Sequence, residues 1–325
     1  MPWRRFFAVI PGWFRGCFAH NNFSPMYAFV FGLLYAVSLL PFFVLYGISD
    51  VFFVLLYYVF GYRKKVVMSN LLHAFPEKSP QERQVIARKF YRNFCDNWIE
   101  TIKLISISKA ALNKRISGNF SALHQLQAQG LAVQVNLGHF FNWEIMTLHG
   151  GINQPLPFLT VYLPQNSKVF NRLLMHIRGR WGNPLLPSTD MARAVIPWRK
   201  KQFLLALGAD QSPAVPDGGY WLNFLNRPTP FPKGPEKLAR SANLAVAMMT
   251  TTKPKRGHYH FDYFLVTPSA KALPDGELLR LYVQHLEQNI RLQPELYLWS
   301  HRRWKHAWKP EYAHMWVGRE TMPNT

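Results

Sequence analysis

Residues 29–60 carry one formal charge, Asp50, and no other stretch constrains the chain so strongly. A helix rises 1.5 Å per residue, so about 20 apolar residues cross the hydrocarbon core of a bilayer. Residues 29–49 read FVFGLLYAVSLLPFFVLYGIS, without a charge. Pro41 kinks such a helix, which membrane helices tolerate better than soluble ones. A second apolar run, VFFVLLYYVF (51–60), is too short to span alone and leads into Gly61, Tyr62, Arg63, Lys64 and Lys65. The pattern predicts one spanning or deeply inserted helix, then an interfacial segment held at the headgroups by aromatics and cations. A helix pair buried in a soluble core is the alternative, and uncharged runs of this length are rare there. A cleaved signal peptide fits less well, because the run starts late, is long and lacks a small-residue cleavage pattern. Arg4, Arg5 and Arg15 precede the run and Arg63 to Lys65 follow it, so the flanks leave orientation open. The large basic remainder argues for a cytoplasmic body.

Lys and Arg number 38 against 17 Asp and Glu, a net charge of +21. Anionic partners follow: nucleic acid, anionic lipid or an acidic carrier protein all fit, as does a generally basic soluble surface. Apolar residues make up 49% of the 325-residue chain, and the mean hydropathy is −0.10. Those values exclude a polytopic transporter and a disordered chain. Cys17 and Cys95 are too few for a disulfide framework or a cysteine zinc site.

After the apolar run, Ser79-Pro80-Gln81-Glu82 predicts a helix start with a capping box. Ile86, Phe90, Phe94, Trp98 and Ile102 recur at every fourth residue, as one helical face does, to about Leu104. From Gly130 the pattern turns to strand, turn and helix. Strands are predicted at 131–137, 157–162 and 203–210, with VAMMTT and YHFDYFLV further on. Helices are predicted at 167–181, 189–201, 236–242 and 276–292, and a Pro- and Gly-rich loop at 211–235. Strands alternating with helices imply an α/β fold, one domain with a mixed central sheet flanked by helices. The division is an anchor and interfacial segment, 1–65, and a body, 66–325.

No dinucleotide loop, P-loop or Gly-x-Ser-x-Gly elbow is present. His258 and His260 lie on one side of a predicted strand, but without a third ligand nearby they read as surface histidines. The chemistry concentrates in Asn136-Leu137-Gly138-His139-Phe140-Phe141-Asn142-Trp143-Glu144, just past a buried strand. Strand ends in open α/β sheets are where sites form. In a regular helix His139 and Glu144 would stand about 140° apart, so they meet only if His139 lies in the preceding turn. Gly138 eases such a turn. A carboxylate on one imidazole nitrogen fixes the tautomer and leaves the other nitrogen as a base. A capping His beside an unrelated surface Glu gives the same short pattern.

His-x4-Glu after a strand, behind an N-terminal membrane helix, resembles the lysophospholipid acyltransferase superfamily. More closely, the chain resembles the lipid A biosynthesis acyltransferases. The resemblance rests on GYRKKVVMSNLLHAFPEKS (61–79), NFCDNWIET (93–101), NLGHFFNWE (136–144) and IRGRWG (177–182). Asp210-Gln211, FPKGPEKLAR (231–240), Gln293-Pro294-Glu295 and WSHRRWK (299–305) complete it in order. It implies acyl transfer from acyl-carrier protein, or less often acyl-CoA, to a hydroxyl of a membrane glycolipid, without a cofactor or metal. His139 would be the base and Glu144 its orienting partner. No covalent acyl-enzyme is required, which fits the absent serine elbow. Arg178 and Arg180 match the family's Arg-x-Arg element, whose forks suit acceptor phosphate or carboxylate. Asp210 and Gln211 would support the site. Arg302 and Arg303 would meet the acidic carrier, lipid phosphates or solvent. Lys233 stands where glycerol-phosphate acyltransferases carry Glu, which favours the lipid A branch. The implied place is the bacterial inner membrane, the body facing the cytoplasm, among anionic lipids.

Two readings compete. One is acylation of another lysolipid, phospholipid or aminolipid. The other is a non-catalytic basic membrane or nucleic-acid-binding protein. Against nucleic acid, aromatics crowd the apolar run rather than interleaving with cations.

Overall fold

The computed structural model of the chain describes residues 25–322. Arg4, Arg5, Arg15 and Cys17 lie outside the described residues. The apolar run forms two helices rather than one kinked span: α1, Pro25–Leu39, and α2, Phe42–Val54, which continues as a π-helical turn, Leu55–Val59. The break falls at Pro41, whose backbone is extended (ψ 153°) and whose ring removes the N–H a continuous helix needs. Phe42–Val59 is the one described helix long and apolar enough to cross a membrane, so the second run belongs to the longer helix.

Helix α3 spans Lys64–Ala74 and α4 spans Pro80–Lys103. The predicted capping box opens α4: Glu82 N–H donates to Ser79 Oγ, and Ser79 N–H to the Glu82 carboxylate. Helix α2 lies antiparallel along α4. Tyr46 donates to Glu100 (3.0 Å), Ser49 to Asp96 (2.8 Å), and Lys103 Nζ donates to the carbonyls of Ser38 and Leu40. The opposite face of α1 and α2 leaves Phe29, Leu33, Phe43, Val51 and Val59 exposed.

The body follows as α5 (Lys109–Asn113), β1 (Ile116–Asn119), α6 (Ser121–Ala128), β2 (Val133–Leu137), α7 (Trp143–Asn153), β3 (Phe158–Tyr162) and α8 (Lys168–Gly179). Then come β4 (Leu185–Pro187), α9 (Met191–Ala194), β5 (Leu204–Gly208), β6 (Gly219–Phe224), β7 (Arg227–Pro232) and α10 (Gly234–Ser241). β8 (Ala245–Lys255), β9 (His258–Thr267) and α11 (Glu277–Leu292) close it. Seven strands form a mixed sheet in the order β1-β9-β8-β2-β5-β3-β4. All neighbours are parallel except β8 and β9. The two-residue period of β8 sends Val246 and Met248 to one core with α4 and α11, and Ala245, Ala247 and Met249 to the other with α7 and α8. The α/β sandwich expected from the strand–helix alternation is therefore the observed fold.

Two local expectations change. Residues 211–235 are not all loop, because β6 and β7 form a hairpin turning at Leu225 and Asn226, both at positive φ. Pro228, Pro230 and Pro232 occupy alternate positions of β7, so their missing N–H groups all fall on one edge. The helix expected at 189–201 breaks into short pieces, with Pro197 in the last of them.

Candidate active site

Strands β2 and β5 run parallel with Leu137 opposite Gly208, so both chains leave the sheet side by side at their carboxyl ends. His139 follows β2 and Asp210 follows β5. The carboxylate of Asp210 takes two hydrogen bonds from His139, one from the backbone N–H (2.9 Å) and one at ring Nδ1 (2.5 Å). Asp210 is buried, while about a quarter of the His139 side chain is exposed. This grip places the ring proton on Nδ1 and leaves Nε2 as the acceptor, which Gln211 Nε2 meets at 3.3 Å. Burial opposes charge on His139, but the neighbouring Asp210 carboxylate outweighs it and holds the imidazole above its ordinary value of 6.5. Burial likewise opposes charge on Asp210, and His139 outweighs it, holding the carboxyl below 3.8.

The expected His139–Glu144 bond is absent among the described residues. Asn142 caps α7 through its side-chain oxygen, which fixes Glu144 in the first turn. From there Glu144 accepts the fork of Arg178, with Nε at 2.8 Å and Nη2 at 2.5 Å, and also the indole N–H of Trp143. Glu144 is thus spent on a partly buried arginine, and Asp210 holds the position beside the histidine. Gly138 is not at positive φ. Its place is tight: a Cβ there would lie 2.6 Å from Leu286 Cδ1 and 2.7 Å from Phe140 Cε2, so those side chains would have to shift.

The remaining predicted binders divide. Arg180 Nη1 donates to the carbonyls of Leu104 and Ile107 (2.7 Å each), tying α8 to the end of α4. Arg303 is buried rather than surface-facing. It donates to Ser212 Oγ and the Pro230 carbonyl, and lies 4.0 Å over the ring of Phe231. Arg302 is exposed. His258 bonds the Arg256 carbonyl, and His260 meets Ser117 and Asp262.

A cleft of about 290 Å³ opens over the dyad. His139, Glu144, Arg178 and Gln211 provide its polar wall; Trp98, Leu137, Met146, Phe170 and Leu174 provide its apolar wall. Trp98, expected on the buried face of α4, turns into this cleft instead. Beside it lies a pocket of about 260 Å³, formed by Val30 and Leu34 of α1, Ile102 of α4 and Val169, Leu173 and Ile177 of α8. Trp98, Thr101, Phe170 and Leu174 line both spaces, so the two lie side by side against the same residues. A base at the mouth of an apolar slot is suited to proton removal beside a long aliphatic group.

Residues 18–306 match the family model described as bacterial lipid A biosynthesis acyltransferase. The chain belongs to that family. It is similar to the lipid A biosynthesis palmitoleoyltransferase of Escherichia coli (strain K12), 24% identical over 247 residues, which are 75% of this chain and 79% of that protein. A lipid A biosynthesis acyltransferase of Shigella flexneri matches with the same figures, 24% over 247 residues. The lipid A biosynthesis lauroyltransferase of Escherichia coli (strain K12) is 23% identical over 280 residues, 84% of this chain and 89% of that protein. The protein is an acyltransferase, and its family places acyl transfer in lipid A biosynthesis.

Gly208 of this acyltransferase lies outside the motifs quoted above. A Cβ there would stand 2.8 Å from His139 Cε1, so only glycine admits the ring beside β5. A glycine ending a strand before Asp-Gln was the available signal. FPKGPEKLAR also acquires a structural role: Glu236, buried, accepts the N–H groups of Gly276 and Leu279 and caps α11 from another element. Lys233 lies 4.8 Å over the ring of Tyr220.

Proposed function

We propose that the enzyme moves a fatty acyl chain from an acyl-carrier-protein thioester to a hydroxyl of a lipid A precursor, with His139 as general base. The observation that carries this is the Asp210-held Nε2 of His139 in the wall of a cleft that has an apolar pocket beside it. The acceptor hydroxyl displaces the Gln211 side chain and gives its proton to Nε2. Its oxygen attacks the thioester carbonyl, and the tetrahedral oxyanion forms beside Arg178. Two arms of that guanidinium are fixed on Glu144, while Nη1 has no protein acceptor among the described residues. Collapse expels the carrier thiolate, which takes the proton from the imidazolium. Asp210 steadies the imidazolium throughout, and the acyl tail lies in the pocket beneath α1. Asp210 replaces Glu144 as the orienting carboxylate, and Glu144 positions Arg178.

The anchor is residues 1–65 and the body 66–325. α1 and α2 rest on α4 along one face and offer their apolar outer face to the inner membrane, with the body cytoplasmic. Asp50, the one charge in the run, is met by Arg256 at 2.8 Å. The test is incubation of the detergent-solubilised enzyme with radiolabelled acyl-carrier-protein donors and a tetra-acylated lipid A precursor. A more highly acylated product that disappears in His139→Ala supports the reading. Full turnover by that variant rejects it, and transfer only to other lysolipids reassigns the acceptor.

A further inference from the structure

At the corner where α1 meets α2, on the side of α4 away from the dyad cleft, a pocket of about 390 Å³ is lined by Phe42, Lys103, Ser106, Lys114, Arg115 and His258, among others. Three of these residues are cations and none is a carboxylate. Lys103 spends its ammonium on the carbonyls of Ser38 and Leu40 (2.8 and 2.9 Å). Arg115 donates through Nη1 to the Gly257 carbonyl (3.2 Å) and stacks 3.4 Å over the ring of Phe42. Lys114 is exposed. No ion pair neutralises any of the three among the described residues. By contrast, Arg256, on the neighbouring hairpin, is held by both Asp50 and Asp96. Lys103 and Arg115 are thus positioned by neutral partners, and Lys114 adds an exposed cation to the same cavity, which makes it a basic site.

The position selects the counterion. Leu39 and Phe43, flanking the same corner, are exposed apolar side chains. With that apolar face in the acyl region, the pocket sits at headgroup depth. Basic pockets beside membrane helices bind phosphorylated headgroups, and an arginine fork matches phosphate oxygens. We infer that this pocket is a binding site for the phosphate of an anionic membrane phospholipid. It is separate from the catalytic cleft, and it holds the α1–α2 corner against the bilayer. The inference rests on the membrane-facing reading of α1 and α2 but not on the role of His139.

The test is vesicle flotation of the full-length enzyme with phosphatidylglycerol–phosphatidylcholine vesicles and with phosphatidylcholine alone, at fixed ionic strength. Lys114→Gln probes the site without touching the corner. Arg115→Gln is a second variant, and Lys200→Gln, an exposed lysine elsewhere, matches the charge change. Lys114→Gln is expected to weaken binding to the anionic vesicles about fivefold, as one headgroup-depth cation does, with phosphatidylcholine binding unchanged. Lys200→Gln is expected to have no such effect. Equal weakening by Lys114→Gln and Lys200→Gln overturns the site, leaving general attraction by the +21 charge. Failure of the wild type to bind either vesicle overturns the membrane-facing reading and the site with it. Added inorganic phosphate separates the sources. Saturable binding of inorganic phosphate without vesicles that Lys114→Gln abolishes, with vesicle binding unchanged in that variant, means that free phosphate fills the pocket and rejects lipid as the ligand. Loss of vesicle binding in Lys114→Gln, with no phosphate binding by the wild type, assigns the pocket to the lipid headgroup.

Discussion

Asp210 holds His139 by two atoms at once, the backbone N–H and ring Nδ1, from a strand end that lies beside His139 but 71 residues away in the chain. A single carboxylate therefore fixes where the residue sits, which way its ring faces and which nitrogen carries the proton.

Asp210→Asn is expected to leave a folded enzyme and to lower kcat about 10²- to 10⁴-fold, the range for losing properly poised acid–base catalysis. Steady-state kinetics with a fixed donor measures it. A loss below tenfold would remove Asp210 from the mechanism.

The pH profile should carry the mark of the same pair. His139 acts as a base only when neutral, and Asp210 raises its pKa above 6.5, so the acid limb of kcat/KM should lie above that value. Removing the countercharge while burial remains moves the limb to lower pH in Asp210→Asn. Stability runs the other way for the histidine. Its contribution is complete below pH 6.5 and is lost as pH rises through the raised folded pKa. The Asp210 contribution is present above pH 3.8 and is lost as pH falls through its depressed folded pKa. A kinetic limb in the same place for wild type and Asp210→Asn would contradict the pairing.

Glu144→Ala should cost stability first. It leaves the largely buried Arg178 cation without its partner, a loss of about 3–5 kcal/mol. Glu144→Met combined with Arg178→Met should recover much of that stability while activity stays low. Chemical denaturation of the three proteins decides it. Unchanged stability in Glu144→Ala would mean the Arg178 pair is not holding the cleft wall.

The pocket beneath α1 should set donor length. Val30→Trp or Leu34→Trp fills the apolar pocket beside the cleft. Each methylene excluded costs about 0.8 kcal/mol of binding, roughly fourfold in kcat/KM. Preference across a panel of acyl-carrier-protein donors should move to shorter chains. An unaltered ranking would place the tail elsewhere.

Arg303→Gln should destabilise the fold rather than weaken carrier binding alone. The side chain is 1% exposed and ties Ser212 to the β6–β7 hairpin through the Pro230 carbonyl. A lowered thermal midpoint with an unchanged KM for the carrier is expected in whatever fraction stays folded. An unchanged midpoint with a raised KM would return Arg303 to the surface role.

Local sequence determined much of this protein. The Ser79–Glu82 capping box, the fourfold apolar spacing behind it and the runs 131–137 and 203–210 act through neighbours a few residues apart, so one stretch suffices to read them. The order of the family's motifs identified the acyltransferase on the same footing. Tertiary structure decided which charges meet. His139 lies five residues from Glu144 but bonds Asp210, because the β2–β5 register puts two distant strand ends together while the first turn of α7 aims Glu144 at Arg178. Arg303 sits in a run that looks solvent-facing, yet packing places it over Phe231, since a guanidinium can be buried where carbonyls and rings surround it. Pro41 was visible as a breaker. How the two helices fold back along α4 depended on partners such as Glu100, Asp96 and Lys103, whose long-range contacts leave no local periodic signal.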